Sequence, residues 1–162
     1  MLKTAVLRRL RKEEKGFTLI ELLAVIVILG VIAAIAIPLI GNIIKSSKDD
    51  SDIATARQIY DAARIYITSE ENGVFKDAKV YIATNTGEGT DKTINLQDKG
   101  YLDKNITLPS DKSTISGGTV KFNGTGNLLY VEITSASGTI YYKGSEVLAG
   151  KGKPVTTAPT SP

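Results

Sequence analysis

The stretch Gly16-Phe17-Thr18-Leu19-Ile20-Glu21 sets one carboxylate just inside a long apolar run, directly after a charged leader. Moving an ionised acid into hydrocarbon costs on the order of 2.5–3.5 kcal/mol on insertion scales. No basic residue follows Glu21 until Lys45. The compensating charge must then come from a new N-terminus, from another molecule, or from both. Alternatively, Glu21 lies near the interface, snorkelling or neutral, favoured by the positive end of its helix. This is chemistry of pairing rather than of turnover. The chain has no His and no Cys, which excludes disulfides and any site that needs imidazole or thiolate. The remaining carboxylates, lysines, serines and tyrosines show no catalytic spacing. Gly87-Glu88-Gly89 reads as a turn, because no Gly-Lys-Ser/Thr follows it as a phosphate loop requires. No enzymatic activity, cofactor or metal is expected.

The element that carries Glu21 is a hydrophobic span. Leu22–Ile40 holds no charged residue, and with Phe17–Ile20 it is long enough for a bilayer core of about 30 Å. Lys3, Arg8, Arg9, Arg11, Lys12 and Lys15 precede it against Glu13 and Glu14. On the far side, Lys45 and Lys48 are offset by Asp49, Asp50 and Asp52. This asymmetry orients the leader toward the cytoplasm and the C-terminal body outward. A secretory signal peptide is the rival reading, since Ala34-Ile35-Ala36 fits a small-x-small cleavage pattern. Against it, the apolar run continues through Ile37, Pro38, Leu39 and Ile40. The whole chain carries +3 and residues 1–16 carry +4, leaving −1 on residues 17–162. That balance gives the body no bulk attraction for nucleic acid, and no direct nucleic-acid binding is expected.

The octapeptide Lys15-Gly16-Phe17-Thr18-Leu19-Ile20-Glu21-Leu22 resembles the processing site of type IV pilins and pseudopilins. The resemblance covers roughly the first 45 residues. It implies cleavage after Gly16 by a membrane-embedded prepilin peptidase, which also N-methylates the freed amine of Phe17. It further implies that Glu21 pairs with the Phe17 amine of a neighbouring copy and sets axial register in a helical filament of identical subunits. The partners implied are that peptidase/methyltransferase, a platform membrane protein and a cytoplasmic assembly ATPase. The precursor would sit in the inner, or cytoplasmic, membrane with its N-terminus cytoplasmic, and the assembled product would be an extracellular pilus. Adhesion or motility is the leading role. A competence or type II secretion pseudopilin is the alternative, as is a single-pass membrane-anchored binding domain that never polymerises. Members of the family often close a C-terminal loop with a disulfide, which this chain lacks.

Within the span, Gly30 and Ala34 form a small-xxx-small pair, which either lets helices approach closely or reflects ordinary membrane-helix composition. Pro38 removes a backbone donor and clashes with the carbonyl of residue 34, so Gly30, Ala34 and Pro38 mark a segment prone to kink. After Gly41 the pattern becomes amphipathic. Ile53, Ala56, Tyr60, Ala63 and Ile67 step by three and four, widened by Ile59 and Tyr66. Asp52, Arg57, Gln58, Asp61, Arg64 and Glu70 are read as lying off that stripe, and Asn72-Gly73 as its stop. The acids of Lys45–Asp52 are read as a solvated helix surface, with a cation site the weaker alternative.

Beyond Gly73 the period becomes two. Val80 and Ile82 make a short candidate strand, and Leu96–Leu102 a short helical turn. Val120 and Phe122, then Leu129, Val131 and Ile133, then Ile140 and Tyr142 form a three-stranded meander. Its apolar face needs the helix stripe as cover. The fold class expected is α+β: a long N-terminal helix, transmembrane half plus amphipathic half, packed on a small antiparallel sheet, as in type IV pilins. The divisions expected are a cleaved leader at 1–16, a transmembrane and assembly half at 17–41, an amphipathic half at 42–73, a head at 74–148, and a disordered Pro- and Thr-rich tail at 149–162.

Overall fold

The computed structural model describes residues 17–83 and 95–161. The leader 1–16, with Gly16, and the turn at Gly87-Glu88-Gly89 lie outside the described residues. Helix α1 runs Leu19–Glu70 and continues through Pro38. The chain divides into two units after Ile43. In the first, every large apolar side chain from Phe17 to Ile43 is exposed. Among the described residues this is the one helix long and apolar enough to cross a membrane.

The second unit, Ile44–Pro162, has its own core. The helix stripe is buried: Ile53, Ala56, Ile59, Ala63 and Ile67 are at most 1% exposed. The helix ends where the sequence places its stop. Asn72 and Gly73 take left-handed φ values of 53° and 74°, and the Gly73 N–H closes onto the Ile67 carbonyl at 2.9 Å. Such a closure satisfies carbonyls that the last helical turn leaves unpaired.

Among the described residues six strands follow: β1 Lys79–Tyr81, β2 Thr107–Leu108, β3 Ser113–Thr114, β4 Gly117–Phe122, β5 Leu128–Ser135 and β6 Gly138–Lys143, with a short helix α2 at Gly144–Ala149. The main sheet is antiparallel in the order β1-β4-β5-β6, and β2 and β3 form a separate ribbon. The architecture is therefore α+β, with four strands rather than the meander's three. The added strand is the candidate at Val80, whose partner is Val120. On the inner face Phe122 meets Tyr60 at a ring distance of 6.1 Å and Phe75 at 5.4 Å.

Three expectations are corrected. Leu128, not Leu129, is the buried residue at the start of β5. The pairing shifts at Lys121/Phe122 and sets Phe122 opposite Leu128, so the bulge changes the phase of the alternation. Asp52 is 2% exposed and accepts the Ser110 N–H at 2.9 Å. It is thus buried beside the stripe rather than off it. The short helical turn expected at Leu96–Leu102, by contrast, forms: the Lys99 N–H donates to the Asn95 carbonyl at 3.1 Å, and Gly100 stops the turn with a left-handed φ of 80°. The tail is not left free, because Val155 exchanges both backbone hydrogen bonds with Tyr141 on the β6 edge, at 2.8 and 2.9 Å.

Without a disulfide, the loops are tied by hydrogen bonds. Asp111 accepts the Ser113 N–H at 2.8 Å, the Ser113 hydroxyl at 2.7 Å and the Ser135 hydroxyl at 3.1 Å. Bonds from Ser137 and then Ser113 hold this carboxyl down to about 2, from an ordinary 3.8. A depressed folded-state pKa contributes stability that is complete above the unfolded value and is lost as pH falls through the folded one. The full chain in detergent micelles should therefore lose denaturant stability between about pH 4 and pH 2, and Asp111→Asn should remove part of that loss. Urea melts across this range check it. Identical pH profiles for the two proteins would contradict the tie.

Candidate functional site

The site is built at the start of α1. Thr18 is the last residue before the helix, and the Leu22 N–H donates to its carbonyl at 3.2 Å. Its N–H and hydroxyl both donate to Glu21 Oε2, at 2.8 and 2.7 Å. The Glu21 N–H returns a longer bond of 3.3 Å to the Thr18 hydroxyl. This is a capping box, a Thr and a Glu three residues apart that satisfy each other's backbone donors at a helix start.

The capping box changes the reading of Glu21. The carboxylate has a partner on its own chain, and Thr18 is the functional residue that sequence reasoning missed. Its signal was present in the spacing Thr-x-x-Glu before an apolar run. Hydrogen bonds from neutral groups do not, however, cancel a charge. Thr18 occupies Oε2, and Oε1 has no hydrogen-bond partner among the described residues. The box also fixes where the carboxylate stands: on the first turn, beside the residue that follows Phe17. Phe17 itself is 85% exposed. An ammonium brought to this end would find an oriented acceptor with one open oxygen.

The other candidate positions divide by unit. Gly30 has no atom within 4 Å of where a Cβ would stand, so its side of the helix is open. Ala34 and Pro38 are exposed on the same uninterrupted helix. In the second unit Ile53, Ala56, Tyr60, Ala63 and Ile67 are all buried in one cluster. Arg57 and Arg64 lie over the Tyr60 ring at 5.5 and 5.7 Å. These are packing positions, and they do not belong to the Thr18–Glu21 site. Among the described residues no group of His, Cys, Asp or Glu could hold a metal ion.

Comparison with known proteins gives the same region. Residues 11–37 match the family model described as the prokaryotic N-terminal methylation motif. The chain is 31% identical over 107 residues to the type II secretion system core protein G of Pseudomonas aeruginosa, covering 62% of this chain and 69% of that protein. No solved structure matches the chain.

If Thr18 holds the first turn, Thr18→Val should weaken it by about 0.5–2 kcal/mol, the usual worth of a cap. Backbone amide exchange at Glu21 and Leu22 in micelles should then be roughly two- to thirtyfold faster. Unchanged exchange would show that the hydroxyl contributes nothing to the helix start.

Proposed function

This chain belongs to the type IV pilin and pseudopilin family, whose members are structural and not enzymes, and we propose that it is a prepilin that polymerises into a surface filament for adhesion or motility. In this reading residues 1–16 are a cytoplasmic leader, cut after Gly16, and Phe17 becomes the N-methylated first residue. Residues 17–41 hold the precursor in the cytoplasmic membrane and later pack the filament. Residues 42–73 attach the head at 74–148.

The observation that carries the proposal is Glu21, an oriented carboxylate on the first turn of an apolar helix whose large side chains are all exposed. A helix of this kind has an unfilled apolar surface and an unneutralised charge. A second copy supplies both needs: its apolar side chains cover the surface, and its freed amine meets the open carboxylate oxygen. Gly30 and Ala34 give room for close approach, and Pro38 marks where the helix can yield. In the filament the neighbouring helices replace the lipid around this surface, and close packing at the small residues supplies the attraction. The charge pair supplies register, because an ion pair left apart in a low-dielectric medium is penalised far more than in water. The partners in this scheme are identical subunits, a prepilin peptidase/methyltransferase, a platform membrane protein and an assembly ATPase.

A second reading is favoured by one observation. The similarity to the secretion protein extends well past the motif, across 69% of its length. A pseudopilin of a type II secretion system would use the same processing and the same register contact in a short filament.

Two variants test the scheme. Glu21→Ala should be cleaved normally yet yield no sheared filaments; a normal yield would remove the register role. Gly16→Ala should insert in the membrane and stay at precursor mass on a gel. Mature-sized protein from that variant would place the cut elsewhere.

A further inference from the structure

The four-stranded sheet has a second face, turned away from the helix. Register places Lys79 opposite Lys121, Lys121 opposite Tyr130, and Tyr130 opposite Lys143. These residues form one row across all four strands. At about 4.8 Å per strand the row is roughly 15 Å long. The next row on the same face runs Tyr81, Thr119, Glu132, Tyr141. Three lysines and three tyrosines are thus interleaved on one surface.

The fold does not call for this composition. Like charges directly opposite each other destabilise a strand pair, yet Lys79 faces Lys121. Among the described residues no carboxylate forms an ion pair with Lys79, Lys121 or Lys143; the pairs present are Arg57–Asp61, Lys99–Glu70 and Lys104–Asp98. The Lys121 ammonium donates to the Asp77 carbonyl, at 2.9 Å. Lys79 lies 5.0 Å from the centre of the Tyr81 ring. Glu132, the acid on this face, is engaged by the Thr119 hydroxyl at 2.7 Å. Lysines on edge strands discourage edge-to-edge aggregation, which accounts for Lys79 and Lys143. It does not account for Lys121 on an interior strand, or for the tyrosines. Tyr130 and Tyr141 hold each other edge-on, with centres 5.6 Å apart at 79°, so both rings are ordered in advance.

We propose that this face binds single-stranded nucleic acid, with Lys79, Lys121 and Lys143 meeting phosphates and Tyr81, Tyr130 and Tyr141 contacting bases. A basic track interleaved with aromatic rings on a β-sheet is the chemistry that holds unpaired strands, because every base has a π-face and every linkage a charge. A duplex hides its base faces in the stack, and an acidic polysaccharide has none. The charge of −1 on residues 17–162 does not oppose this binding, because three lysines stand on this face against Glu132 alone among the eight residues of the two rows.

The test uses the full-length protein in non-ionic detergent micelles and a fluorescein-labelled thymidine 30-mer, read by anisotropy against salt. Binding should weaken steeply as salt rises. The triple variant Lys79→Gln, Lys121→Gln, Lys143→Gln should bind at least about tenfold more weakly. Its log–log salt slope should be flatter by about 2, at roughly 0.7 for each phosphate that is no longer neutralised. Tyr130→Leu should weaken binding, while Tyr130→Phe, which keeps the ring, should retain it. No anisotropy change at low salt would overturn the proposal, as would a triple variant that binds like the parent. Equal competition by polyphosphate of matched charge would also overturn it, by showing a face that reads charge and not bases.

Discussion

The structure depends on one constraint: a carboxylate placed at the start of a helix that is otherwise wholly apolar. Its cost in hydrocarbon is a few kcal/mol at least, by the gentlest scales. Thr18 meets part of that cost by donating two hydrogen bonds to one oxygen. The same contact begins the helix, so the residue that orients the acid also fixes the end at which it is displayed. What remains is a formal charge and one open oxygen. Neutral donors leave the charge in place, and no cation follows for more than twenty residues. The proposed remedy is an amine from a neighbouring copy, with the facing apolar helices supplying the packing.

The second unit is stabilised by different means. It buries one face of its helix against one face of a sheet and ties its loops with side-chain acceptors. Asp111 gathers Ser113 and Ser135, and Asn123 gathers the amides of Thr125 and Asn127 through its own side chain, at 3.0 and 2.9 Å. Asx-type turns of this kind fix a hairpin locally. Gly118, with φ of +130°, lies where a side chain would collide with the Glu132 carbonyl, which holds β4 close to β5. The sheet's other face does not pack on the helix. Three tyrosines and three lysines stand there around a buried Thr119, and this is why that face invites a binding role.

Much of this was legible in the sequence, and the failures share a cause. The stripe from Ile53 to Ile67 is local and periodic, so it reads directly. The motif around Gly16 and Glu21 is local as well. The fourth strand is not local: Val80 finds its partner forty residues on, at Val120. Asp52 is buried because an amide 58 residues away reaches it, and no window around Asp52 contains Ser110. A single bulge at Lys121/Phe122 exchanged the roles of Leu128 and Leu129. The tail's composition is that of a free segment, yet the β6 edge offers Val155 the backbone partners it needs. Thr18 is the exception, because its signal is local: Glu21 read as a charge conceals Glu21 as a hydrogen-bond acceptor. Net charge is silent on placement in a similar way: −1 over residues 17–162 does not reveal that Lys79, Lys121 and Lys143, from three separate strands, share one row.

The proposed contact between Phe17 and Glu21 of neighbouring copies can be tested directly in filaments made from two pools of subunits, one labelled with nitrogen-15 at Phe17 and the other with carbon-13 at the Glu21 carboxyl. Solid-state NMR of the mixed filament reads only distances between different copies. Inter-subunit pairing predicts a methylated Phe17 nitrogen within about 4 Å of the carboxyl group, the reach of an ion pair. Filaments with no such cross-peak, or with subunits that still begin at Met1, would contradict it.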